Sequence, residues 1–475
     1  MRRTERPRSR GRGIAQTRLV MISSLALNWR GRPAGFRASI RLFLSVCLLA
    51  TLPWAAPSTD CRAFAAEGAP APAAGSARLY LWVIRDALED TTRLAILADS
   101  ARSAGCTDLL IQVRGRGEAY YRSSSEPAPA ALENAPPAGI KAGGRPSEIS
   151  LRYDPLAAAI RLARERGMRV HAWFNVFLAG KWKGNGARNV IVRHPEWKAR
   201  LADGRSLEEL SSAERRRAGV EGIYMSPGNP EVIAYLEGAV RELVLRYDLD
   251  GLHLDYIRYP YADAGYDEAS RRAYLIDDFG GPIPGQAGGA SGAGEGDHAG
   301  EADEGSAAGK AGEAGEAGGE WMDHWDRWKM EQVSRAVERI ADAARSASPG
   351  IEVTAAVIPD PAAARRACSQ DWPRWLREGW IDAALLMAYT KSPDRLEKWL
   401  REGANEAGAS GRIVAGLGLH KIDGRGAAEV FERARRTGSG ALALFSHVEF
   451  MRSAELRALA RRASGRAPSR SDGGE

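Results

Sequence analysis

Cysteine is scarce in this chain of 475 residues, which has four of them. Cys47 and Cys61 fall near the N-terminus, and Cys106 and Cys368 remain, far apart and outside any CxxC or Cys/His cluster. That pattern argues against a structural zinc and a disulfide framework and leaves two free or buried thiols. No GxSxG surrounds Ser226 or Ser446, so the usual signature of a serine hydrolase is missing. No glycine-rich phosphate loop follows the first apolar stretch at Trp82–Asp86, which argues against a doubly wound nucleotide-binding sheet. His171 and His253 with Asp255 are the nearest approach to a metal set. No HxH pair stands on the first strand and no carboxylate spacing of metal type accompanies them, so no metal and no cofactor is expected.

A positive excess is also missing where it would matter. The formal charge is +7, yet the first 65 residues carry twelve arginines against Glu5 and Asp60. The rest of the chain has 55 basic and 58 acidic residues, and nothing there points to nucleic acid. The basic stretch runs to Arg41. Leu42–Ala56 follows as an apolar run broken by Pro53, short for a membrane span, and Ala63-Phe64-Ala65 offers a small-x-small cleavage site. Residues 1–65 therefore read as an export leader and 66–76 as an Ala/Pro linker, with a secreted or periplasmic destination. Membrane contact is expected only through an uncleaved leader, and the chain is expected to be a monomer.

From residue 77 to 463 apolar strands alternate with amphipathic helices. The strands are Leu79–Ile84, Asp108–Val113, Arg169–Val176, the stretch inside Tyr247–Pro260, Ile351–Val357, Ile381–Tyr389, Arg412–Leu417 and Ala441–Ser446. Asp90, standing before Leu94, Leu97 and Ala101, is a helix cap. Eight strand–helix repeats predict a (β/α)8 TIM barrel. Residues 285–319 are almost wholly Gly, Ala, Glu, Ser and Asp, and are expected as a disordered insertion after strand four. Residues 464–475 are expected as a disordered tail.

In such a barrel the C-terminal strand ends share one mouth. The stretch YDLDGLHLDYIRYP is apolar along its body and turns polar at Asp255, Tyr256, Arg258 and Tyr259. His171, Trp173 and Asn175 alternate and share one strand face. The other strand ends add Trp82, Gln112, Arg114, His253, Asp360, Tyr389, His420, His447 and Glu449. Flat rings with many hydrogen-bonding groups suit sugars, and cleavage of a glycosidic bond usually needs two carboxyl groups, one with a raised pKa. Asp255 is the first. Asp360, Glu118 and Glu449 are the candidates for the second, in that order.

Several blocks carry a resemblance: QVRGRGEAYYRS (Gln112–Ser123), YDPLAAAIRLARERGMRVHAWFN (Tyr153–Asn175), MSPGNPEV (Met225–Val232), YDLDGLHLDYIRYP, WLREGWIDAALLMAYT and ALALFSHVEF. Together they resemble the bacterial glycosyl hydrolase-like family 10. The resemblance implies an exported barrel hydrolase acting on a polysaccharide, with some members cleaving peptidoglycan glycan strands stripped of their peptides. It places Asp255 on the family's strand-four aspartate. Gln112, Arg114, Tyr121, His171, Trp173, Asn175, His253 and Tyr259 fall on its pocket positions. Tyr256 stands where members often have a second aspartate, and Val357-Ile358-Pro359-Asp360 replaces their usual turn after strand five. The expectation is thus a glycoside hydrolase with Asp255 and Asp360 as its carboxylates. The alternative is a glycan-binding protein that uses the same mouth without turnover.

Overall fold

Eight parallel strands follow one another: β1 Leu79–Val83, β2 Asp108–Gly115, β3 Arg169–Asn175, β4 Gly251–Asp255, β5 Glu352–Val357, β6 Ala383–Met387, β7 Ile413–Gly418 and β8 Leu442–Phe445. Each pairs with its successor, and β8 pairs back onto β1 through Leu79↔Leu442, Tyr80↔Ala443 and Leu81↔Leu444. The sheet is therefore a closed (β/α)8 barrel, and closure removes the exposed edges that a parallel sheet would otherwise present. The computed structural model describes residues 78–133, 153–277, 324–422, 424–437 and 440–464. The expected leader (1–65), linker (66–76) and insertion (285–319) lie outside the described residues, as does the tail beyond Ser464.

The barrel helices are α1 Thr91–Ser103, α2 Pro155–Arg164, α3 Pro230–Arg246, α4 His324–Ala347, α5 Trp372–Arg377, α6 Pro393–Ala407, α7 Gly424–Arg436 and α8 Ala454–Ala463. Their starts are written locally. Asp90 accepts from the Thr92 and Arg93 N–H groups. Asp154 and Asn229 cap α2 and α3, each followed by proline at the first helical position, where no hydrogen bond is lost. Along α3, Val232, Ile233, Leu236, Ala239, Val240 and Leu243 recur at helical spacing and are buried.

Alternation along each strand separates two cores. Leu79, Leu81, Val83, Leu109 and Ile111 face the helices. Trp82, Leu110, Trp173, Leu385, Val414 and Ala443 face one another inside the barrel. The long connection between β3 and α3 carries structure of its own. Leu178–Gly180 and Ile223–Tyr224 form an antiparallel hairpin beyond β3, and Ser212–Ala218 is a short helix with its own capping box. Glu268–Ile276 and Pro361–Cys368 are further short helices.

Polar side chains fill the lower interior. At the N-terminal ends of the strands Asp108 accepts from Arg78 Nη2 at 2.7 Å and His171 Nε2 at 2.8 Å, and Arg169 Nη2 lies 2.9 Å away. Arg78 also donates to Glu352 Oε1 at 2.8 Å. Higher up, His253 Nε2 accepts from Trp82 Nε1 at 3.0 Å, so its Nδ1–H donates to Thr354 Oγ1 at 2.8 Å. Burial, with the nearby His171, pushes His253 down to about 3, and the ring is neutral at ordinary pH.

Gly251 opens the space for His171, since a Cβ there would lie 2.0 Å from His171 Nδ1. Gly251→Ala is expected to destabilise the barrel by about 1–3 kcal/mol through overpacking, read as a lower urea midpoint. An unchanged midpoint would show that the His171 ring gives way freely.

Candidate active site

Asp255 is the last residue of β4 and is almost fully buried. Its Oδ2 accepts from Trp173 Nε1 at 2.9 Å, and its Oδ1 accepts from the Tyr256 N–H at 2.7 Å. Arg258 Nη1 stands 3.7 Å from Oδ1. Burial pushes the carboxyl up. Arg258 and the two hydrogen bonds oppose that push, and a second carboxylate, Glu221, reinforces it. The balance leaves Asp255 above the ordinary carboxylate range, the condition for a group that must hold a proton.

Glu221 stands just before the hairpin strand Ile223–Tyr224, and the Tyr256 hydroxyl donates to its Oε2. Tyr256 sits at φ 50°, in the left-handed region. The Arg258 guanidinium lies 4.7 Å from the centre of the Tyr256 ring. Across the mouth, the Tyr389 ring stacks on Phe445 at 5.3 Å and meets His420 edge-on at 5.6 Å. Trp173 meets Phe445 edge-on at 6.4 Å. A Cβ on Gly418 would come within 2.8 Å of the Tyr389 ring, so this strand end needs a bare backbone. Burial pushes the Tyr389 hydroxyl well up, helped by the charges of Asp255 and Glu221, which it faces. The result is an aromatic surface opposite two carboxyl groups. Half-buried rings of this kind can carry the apolar face of a sugar while the carboxyl groups exchange protons at its glycosidic oxygen.

Of the residues picked out from the sequence, the mouth gathers Gln112, Trp173, Asn175, Asp255, Arg258 and Tyr389. Gln112 accepts from Arg85 Nη1 at 3.1 Å and donates to Asn175 Oδ1 at 3.4 Å, and Asn175 pairs in register with Asp255. Others are placed elsewhere. His171 is committed to Asp108 at the barrel base, and Trp82 and His253 to each other in the buried interior. Arg114 is fully buried, with Nε 2.6 Å from Glu126 Oε1 and Nη1 on the Asn175 carbonyl, so it props the β3 end from behind. Tyr121 is buried edge-on to Tyr247 at 6.1 Å, and Tyr259 is buried near Gly265 and Lys329.

Asp360, expected as the second carboxylate, caps the Pro361–Cys368 helix by accepting from the Ala363 N–H at 2.9 Å. It lines a surface cleft with Lys398 and Glu402 of α6. Glu118 is taken by Lys181 at 2.8 Å, and Glu449 closes the capping box of Ser446. The residues that the sequence reading passed over are Glu221 and Phe445, whereas Tyr256 stands in it as a neighbour of Asp255 without a role of its own. Among the described residues no group of three or more His, Cys, Asp or Glu is placed to hold a metal ion.

The family described as Glycosyl hydrolase-like 10 matches residues 86–424. The chain belongs to this family. Among its relatives, glycosyl hydrolase YngK of Bacillus subtilis (strain 168) is 29% identical over 194 residues, which make up 38% of this chain and 32% of YngK. Glycosyl hydrolase DigH of Escherichia coli (strain K12) is 29% identical over 115 residues, 22% of each protein. The chain thus spans a third or less of these relatives. Among solved structures, the PgaB (BpsB) glycoside hydrolase domain of Bordetella bronchiseptica superposes with a TM-score of 0.55 at 14% identity. That match covers 81% of this chain and 98% of the domain, and it speaks to the fold alone. The matched region of the Glycosyl hydrolase-like 10 family contains Gln112, Trp173, Asn175, Glu221, Asp255, Tyr256, Arg258 and Tyr389, and Phe445 follows it on β8.

Proposed function

We propose that this chain is an exported glycoside hydrolase that cuts bacterial cell-wall glycan strands, with Asp255 as general acid and Glu221, in place of Asp360, as the second carboxylate. The observation that carries the reading is the buried Asp255, held above the ordinary carboxylate range, with Glu221 close enough to contribute to that rise. A protonated Asp255 would donate to the glycosidic oxygen as the bond breaks, while Glu221 assists attack at the anomeric carbon. The half-buried rings of Phe445 and Tyr389 would bear the sugar, Trp173 would hold Asp255 from the barrel interior, and Gln112 and Asn175 would offer polar contacts to the sugar hydroxyls. The stripped-strand substrate rests on the family resemblance, and export rests on the leader-like first 65 residues.

Purified glycan strands, with and without peptides, incubated with the full chain and analysed by mass spectrometry, test the substrate. Fragments from wild type that are absent with Glu221→Gln are the expected result. Intact strands that nevertheless retain the protein would favour the glycan-binding alternative. Neither cleavage nor retention would remove cell-wall glycan as the substrate.

A further inference from the structure

Tyr256 follows the acid directly, yet it occupies a backbone region that residues with a Cβ rarely adopt. That conformation has visible effects. It turns the Tyr256 N–H back onto Asp255 Oδ1 at 2.7 Å and presents the Tyr256 carbonyl to the Phe177 N–H at 3.2 Å, at the start of the hairpin. It also carries the ring across to the same hairpin, edge-on to Tyr224 at 6.1 Å and under the Arg258 guanidinium. The hydroxyl then meets Glu221, and among the described residues this is the one hydrogen bond that the Glu221 side chain receives.

Resting on the reading of Asp255 and Glu221 as the working pair, we propose that Tyr256 is the positioning residue that makes them one acid–base unit: its N–H fixes Asp255 and its hydroxyl aims Glu221. Asp255 belongs to β4 and Glu221 to the hairpin beyond β3, so without this bridge the two carboxyl groups would be held by separate elements. The charged and titratable groups facing the unit are Arg258 after β4, Tyr224 on the hairpin and Tyr389 after β6, with Cys368 behind Arg258.

The test is Tyr256→Phe in the full chain, which keeps the ring and removes only the bridge to Glu221. Turnover of glycan strands should fall about 10–100-fold with KM within about twofold. In a Glu221→Gln background the same substitution should change nothing further, the mark of residues acting as a unit. A loss borne wholly by KM would overturn the proposal. A readout independent of turnover separates it from the reading on which it rests. The carbon-13 chemical shift of the Glu221 carboxyl at one fixed pH, without substrate, should differ between wild type and Tyr256→Phe. Identical chemical shifts would overturn the bridge even in an active hydrolase, whereas a changed shift in a chain that cuts no strand would keep the bridge and remove the proposed activity.

Discussion

Asp255→Asn is expected to lower strand turnover by about 10²–10⁴-fold while binding of the strand changes little. The amide occupies the same space but has one acceptor oxygen, so it can accept from Trp173 or from the Tyr256 N–H and not from both, and the acidic proton is lost with the second bond. The sign of the pH dependence follows from the raised pKa. A general acid works only while protonated, so activity should fall as pH rises through the pKa of Asp255, at a higher pH than an ordinary carboxyl group would allow. A basic limb near pH 4 would sink the assignment. Stability should move the opposite way from activity. Ionised Asp255 is penalised in the folded protein, so the penalty is absent below its unfolded value of 3.8, grows as pH rises, and is complete above the folded pKa. Asp255→Asn should therefore be the more stable protein at neutral pH, with the difference closing in acid. Urea unfolding at two pH values reads this directly, and a variant less stable than wild type at neutral pH would mean that the carboxylate is well paired after all.

The second large effect lies at the other end of the barrel. Asp108→Ala should cost about 3–5 kcal/mol, enough to remove much of the stability of an ordinary domain. Burial alone would push Asp108 up. The bonds and charges of His171 and Arg78 outweigh it and hold the carboxyl well below the usual range. Removing it leaves Arg78, Arg169 and His171 facing one another without their shared counter-ion, and deprives Thr107 of a partner at 2.6 Å. Arg78 and Arg169 keep about a fifth to a quarter of their side-chain surface in solvent, which places the loss toward the lower end of that range. Because the folded pKa is depressed, the contribution of Asp108 is present above its unfolded value of 3.8 and is lost as pH falls through the folded pKa. Wild type should therefore weaken below about pH 4, and Asp108→Ala should lack that part of the acid limb. A variant with an unchanged urea midpoint would mean that the base cluster is dispensable.

The barrel was legible because its signals are local. Apolar strand runs, Asp90 before α1 and the Asn229-Pro230 start of α3 each act over a few residues. Inward or outward facing was legible too, since alternation sets it. Height along the barrel axis was not. His171, Trp173 and Asn175 share a face, but the pairing of His171 with Gly251 puts it at the base, and the pairing of Asn175 with Asp255 puts it at the mouth. That register depends on neighbouring strands distant in the chain. Asp360 carried a warning, because Asp-Pro opening a helix is a cap before it is a catalyst. Glu221 carried no comparable mark. It stands in a long connection beside a two-residue strand, and only folding brings it to Tyr256.

The tie between Arg78 and Glu352 joins residues 274 positions apart. On the ribosome Arg78 and Asp108 therefore emerge long before Glu352, and β1 waits for β8 before both of its edges are paired. A nascent chain that ends within the first half holds cations without their full set of counter-ions and a strand edge open to other chains. The order of synthesis thus postpones barrel closure until the last strand has been made, and until then the half-built sheet depends on its surroundings to stay unaggregated.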